Sequence, residues 1–135
     1  MSKYLDKAKE IRAIVEPHHN CAQSVIESFN EDSDVSNELA YRIGSCFGAG
    51  MKSGGTCGVV TGALMTLGIF GVDDPDITRK VVNYIKDNHE GMLMCTDLLR
   101  ANAARGGEKK PHCDAMVYET VEFVEKILRE QGKIK

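Results

Sequence analysis

The sequence predicts an all-α protein: a single-domain bundle of about five or six helices, spanning residues 1–135, packed around a buried central helix. Three observations predict it. Apolar residues recur at helical spacing in one segment after another. Capping residues, prolines and glycines fall between those segments as start and stop signals. No stretch shows strand-like alternation, and no internal repeat is present. With 135 residues and 42% hydrophobic composition, the chain is long enough to bury a core unaided. It has no Trp and only 6% aromatic residues, so that core must be Leu, Ile, Val, Met and Ala.

Residues 3–16 carry Tyr4, Ala8, Ile11 and Val15 on one helical face, after Ser2 as cap, and Pro17 ends the segment. Asn20 then caps a second helix beginning at Cys21, with Gln23 placed for a capping box and Ala22, Val25, Ile26 and Phe29 as buried positions. A third helix is expected over 35–47, burying Leu39, Ala40, Ile43 and Phe47, with Cys46 near its end. Five of the eleven residues from Gly48 to Gly58 are glycine, which permits close backbone approach to something bulky. The fourth helix, Cys57 to about Leu67, is apolar almost all round and is expected at the centre. Within it, Gly58 and Gly62 have the spacing of a close helix–helix contact.

Asp74-Pro75 opens a long helix with Ile77, Val81, Tyr84 and Ile85 on its inner stripe, and a break follows near Gly91. A short helix carries Cys95, Leu98 and Leu99, and Asn102 to Lys110 reads as a loop. Pro111 is expected to start the last helix, with Cys113 in its first turn and Met116, Val117, Val121, Val124, Ile127 and Leu128 inside. Met51, Met65, Met92, Met94 and Met116 are expected to fill the core.

Net charge is −3 and no basic stripe is interleaved with aromatics, so nucleic acid is not an expected partner. The N-terminus lacks an apolar signal core and no run approaches 18 apolar residues, which points to a cytoplasmic protein with no membrane partner. Five cysteines in such a chain favour metal binding or redox chemistry over a disulfide framework.

Cys21, Cys57, Cys95 and Cys113 all fall at expected helix starts, where unpaired N–H groups and the helix dipole favour thiolate. Four thiolates so collected would hold a metal or a redox pair. No Cys-x-x-Cys pair occurs, so zinc-finger, thioredoxin and ferredoxin spacings are all absent. Helix dipoles and glycine N–H groups would stabilise an anionic iron–sulfur cluster, and Cys57 between Gly55 and Gly58 has suitable surroundings. Three other readings stand beside that one: a metal-free thiol–disulfide oxidoreductase or redox sensor with a low-pKa Cys57 as attacking thiolate and another cysteine as the resolving one, a site for zinc or another metal, and a helical interaction module whose cysteines merely pack. His18, His19 and His112 neighbour the cysteines, though capping or surface roles suit them better than ligation.

The stretches Asn20-Cys21-Ala22-Gln23-Ser24, Phe47-Gly48-Ala49-Gly50-Met51, Cys57-Gly58-Val59-Val60-Thr61-Gly62-Ala63, Cys95-x-x-Leu98-Leu99 and Cys113 resemble a family of small redox-active proteins. Its signature is one Cys, a Cys-Gly-Ala-x-x-Gly-like motif and two further Cys; Val59 stands here in place of the usual Ala. A similar module occurs in the split-Soret cytochromes, but this chain has no Cys-x-x-Cys-His haem site. The resemblance implies an all-helical fold and an iron–sulfur cluster, [2Fe–2S] in preference to [4Fe–4S]. It implies Cys21, Cys57, Cys95 and Cys113 as ligands, with the Gly55 and Gly58 loop giving the cluster room and N–H donors. Cys46 lies outside the signature. Four thiolate ligands leave no open coordination site, which suits electron transfer to a redox partner protein better than catalysis; a homodimer is compatible with these features.

Overall fold

The computed structural model describes residues 2–135. Seven α-helices follow one another: α1 (Lys3–Ala13), α2 (Cys21–Ser28), α3 (Asn37–Gly44), α4 (Gly58–Ile69), α5 (Pro75–Asn88), α6 (Cys95–Ala104) and α7 (Lys109–Glu130). Single turns lie at Asn30–Asp32 and Gly50–Gly54, and among the described residues the only β pairing is an isolated antiparallel bridge between Thr56 and Met94. The all-helical expectation holds, with more helices than the five or six expected. The short α6 runs on to Ala104, and α7 begins at Lys109, ahead of Pro111. Proline is tolerated there because first-turn N–H groups have no helical acceptor to lose.

Local signals explain most boundaries. Ser2 Oγ accepts from the Leu5 N–H at 2.9 Å and caps α1. Asn20 and Gln23 form the expected capping box, each side chain accepting from the other's backbone N–H at 2.8 and 2.7 Å. Asp74 accepts from the Asp76 N–H at the start of α5.

The core lies where α2 and α4 meet α7. α2 packs chiefly on α1, α3, α4 and α7, and α4 on α2, α5 and α7, so the middle of the bundle is shared between the two. Val25, Phe29, Val59, Ala63, Ile85, Val117, Val121, Val124 and Leu128 are fully buried. Each large apolar side chain so placed contributes roughly 1.5–3 kcal/mol. Phe29 stacks on Tyr4 at 4.9 Å between ring centroids, and Phe123 on Tyr84 at 3.8 Å.

Several expected core positions lie outside the core. Val15 is 81% exposed, because α1 stops at Ala13 and the chain turns away before Pro17. Leu39 is exposed, since α3 is only two turns long and buries only Ala40 and Gly44. Met51 and Met94 are also exposed, while Met116 is fully buried.

Candidate functional site

Cys21, Cys57, Cys95 and Cys113, drawn from four separate segments, line one cavity of about 450 Å³. Cys21 is the first residue of α2, Cys57 the N-cap of α4 and Cys95 the first residue of α6. Cys113 lies in the second turn of α7, because that helix starts two residues earlier than expected. All the cysteines are free thiols, and Cys46 is exposed, away from the cavity.

The main chain fixes Cys57 and Cys95. The Cys57 N–H donates to the Leu93 carbonyl at 2.8 Å and the Cys95 N–H to the Gly55 carbonyl at 2.6 Å, the two rungs that flank the Thr56–Met94 bridge. Thr96 Oγ1 adds a third tie, donating to the Gly54 carbonyl at 3.0 Å. A Cβ on Gly54 would stand 2.0 Å from that hydroxyl oxygen, and its φ of +70° also requires glycine. Before this clamp, Ala49, Gly50, Met51 and Lys52 are four consecutive left-handed residues, and Ala49 and Gly50 line the cavity.

The glycines divide by role. Gly55 does not line the cavity, and its N–H donates to the Gly50 carbonyl at 2.9 Å. Gly58 does line it, but a Cβ there would also meet the Ala22 backbone nitrogen at 3.0 Å. At Gly62 a Cβ would stand 2.8 Å from the Ala22 carbonyl oxygen. The Gly58–Gly62 pair therefore brings α4 against the first turn of α2, and so brings Cys57 toward Cys21.

Side chains organise Cys21 and Cys113. The Cys113 thiol is pulled down to about 7 by hydrogen bonding from Cys21, helped by Arg12 and Lys109 and opposed by burial. The same contact, together with burial, drives Cys21 well above its ordinary value. The two titrate as a pair, with the negative charge resting on Cys113. Cys57 behaves in the opposite way. Burial pushes it up to about 12, and the Val59 N–H beside it lowers it too little to compensate. Burial also raises Cys95. The thiolate expected at Cys57 thus belongs to Cys113, because in this site desolvation outweighs the helix end.

Arg12, Lys109 and Lys110 line the cavity, and among the described residues no carboxylate does. His18 and His112 also line it, their pKa values lowered first by burial. His19 is held by Glu27 through Nδ1 at 2.8 Å. Among the described residues no three His, Cys, Asp or Glu side chains converge tightly enough for a single ion. The sulfurs line a chamber instead of surrounding a point. Such an arrangement suits a multi-atom anionic group, or chemistry between two thiols.

The residues missing from the sequence expectation are Arg12, Asp114 and Lys109. One signal was present: Arg12 follows Tyr4 and Ala8 at four-residue spacing, placing a charge on the buried stripe of α1.

Among the described residues no helix is long and apolar enough to cross a membrane. No curated protein and no solved structure matches the chain significantly. The profile of the family described as "Putative redox-active protein (C_GCAxxG_C_C)" matches residues 19–127, which include all four cavity cysteines. With four fifths of its length in that match, the chain belongs to this redox-active, cysteine-signature family.

Proposed function

We propose that this chain is a one-domain electron-transfer or redox-sensing protein that holds an iron–sulfur cluster through Cys21, Cys57, Cys95 and Cys113. One observation carries the reading: four cysteines far apart in sequence line one cavity whose charged lining is entirely cationic. The donor set fits the group, because thiolates are its ordinary ligands and the cations offset its negative charge. A bound cluster would supply one-electron chemistry, with [2Fe–2S] the type favoured. The chain's own contribution is placement and electrostatics. The Thr56–Met94 clamp fixes two sulfurs, Arg12 stands beside the other two, Lys109 adds positive charge near Cys113 and Cys95, and Leu98, Leu99 and Met116 give the cavity an apolar lining. Free thiols suit a reducing compartment, so we place the protein in the cytoplasm.

The contact between Cys21 and Cys113 favours a second reading, a thiol–disulfide exchanger. The Cys113 thiolate would attack an oxidised partner's disulfide, releasing one partner thiolate. Cys21, once deprotonated, would then displace the second partner sulfur and close the Cys21–Cys113 bond.

The deciding experiment is anaerobic purification with a visible spectrum and assays of iron, sulfide and zinc on one sample. A brown protein with near-stoichiometric iron and sulfide, both lost in Cys57→Ser, is the expected result. Colourless, iron-free protein after anaerobic reconstitution would sink the cluster reading. Mass spectrometry after mild oxidation would then show whether Cys21 and Cys113 are joined.

A further inference from the structure

Arg12 lies on α1, outside the 19–127 stretch that places the chain in its family. Its side chain is only 5% exposed and is bound on two sides. Nε donates to Asp114 Oδ1 at 2.7 Å, beside Cys113. Nη1 donates to the His19 carbonyl at 2.9 Å and to Ser24 Oγ at 3.3 Å, on the two flanks of the Asn20–Cys21 cap. Lys110 closes the arrangement, its Nζ donating to the Arg12 carbonyl at 3.0 Å and to both Asp114 carboxylate oxygens at 3.2 and 3.1 Å. One side chain thus joins the segment carrying Cys21 to the segment carrying Cys113. The planar guanidinium suits this, since it donates in fixed directions where an ammonium offers a single point of charge.

The charges do not cancel. Arg12 and Lys110 share one carboxylate, leaving one net positive charge beside two sulfurs. Burial opposes the charge on Arg12, and the Asp114 carboxylate and the Cys113 thiolate offset that cost. A guanidinium is retained in so enclosed a place only where anions face it.

We propose that Arg12 is a positioning residue of the cysteine cavity: it locks the Cys21 cap to the Cys113 turn and supplies the positive charge that favours the more reduced, more anionic state of the site. The inference rests on the redox reading above and holds for either form of it, cluster or dithiol.

The test compares wild type, Arg12→Lys and Arg12→Met in the full chain. The first readout is the midpoint potential of whichever couple the wild type shows. Arg12→Met should shift the reduction equilibrium at least tenfold toward the oxidised state, which is 59 mV lower for a one-electron couple and about 30 mV for a dithiol. Arg12→Lys, which keeps the charge, should remain close to wild type. Potentials that are equal in wild type and Arg12→Met, or equally shifted in both variants, would overturn the electrostatic role.

The second readout needs no cluster. In reduced, metal-free protein at fixed pH, Arg12→Met should speed amide hydrogen exchange in the turn carrying Cys21 at least tenfold and leave the turn carrying Cys57 unchanged, with Arg12→Lys intermediate. Rates that rise together at Cys21 and Cys57, or that rise at neither, would overturn the positioning role. A wild type with no redox transition at all would instead remove the functional reading and, with it, the electrostatic part of this inference.

Discussion

Cys57 and Cys95 are held by the main chain, whereas Cys21 and Cys113 are held by side chains. The first pair sits across a short antiparallel clamp, and its thiols are kept protonated by burial. The second pair joins α2 to α7, and its charge is set by a hydrogen bond between the thiols and by Arg12. Main-chain bonds fix positions and are nearly indifferent to side-chain identity. Side-chain networks fix charge and can be tuned residue by residue. The cavity thus has one half that supplies geometry and one that supplies chemistry.

The most drastic way to break this comparison is to force the halves apart. Gly62→Val would place side-chain atoms on the Ala22 backbone, where even a Cβ stands 2.8 Å from the carbonyl oxygen. Overpacking of this kind costs about 2–3 kcal/mol, and thermal unfolding should fall by roughly 10 °C in a domain of this size. An unchanged melting temperature would show that the α2–α4 contact is looser than described.

A sharper test leaves the fold intact. In reduced, metal-free Cys46→Ser protein at pH 8, Cys113 should react with iodoacetamide on the order of a hundredfold faster than Cys57. That figure sets the gap between about 7 and about 12 against the lower nucleophilicity of the more acidic thiol. Peptide mass spectrometry over time reads both rates. Comparable rates would erase the distinction between the halves.

The smallest effect is in stability. Cys113 sits below its ordinary value, so its contribution is full above about pH 9 and is lost as pH falls through about 7. Cys57 is raised, so its contribution is present below about 9 and is lost as pH rises toward 12. Chemical denaturation of metal-free protein should therefore show a rise from pH 7 to 9 and a fall above it. Cys113→Ser should flatten the rise and, because Cys21 then loses the contact that raises it, reduce the fall to the part that burial of Cys57 supplies.

What the sequence made legible follows the same division. Cys21, Cys57 and Cys95 could be placed at helix starts because caps are local: Asn20 and Gln23 are three residues apart and need nothing else. The Gly58–Gly62 contact was equally readable from spacing. The Arg12–Asp114 pair was not, since 102 positions separate its members and no local pattern encodes such a meeting. The same holds for Thr56 opposite Met94. The acidity of Cys57 was misread because a helix end can be seen in a sequence and burial at 8% exposure cannot. Leu39 and Val15 were misplaced for a related reason: periodicity names a face but not whether a partner covers it.

The left-handed run at Ala49–Lys52 has a consequence for substitution. Three of its four residues carry side chains at φ between +52° and +60°, a backbone state that costs an L-residue roughly 1–2 kcal/mol. The usual penalty of glycine is therefore inverted here. Replacing Ala49, Met51 or Lys52 by glycine should stabilise the chain by about 0.5–1 kcal/mol each, once the greater freedom of unfolded glycine is subtracted. A library selected for heat resistance would gather glycines at these three positions first, making the stretch from Gly48 to position 52 glycine throughout and leaving the four sulfurs where they are.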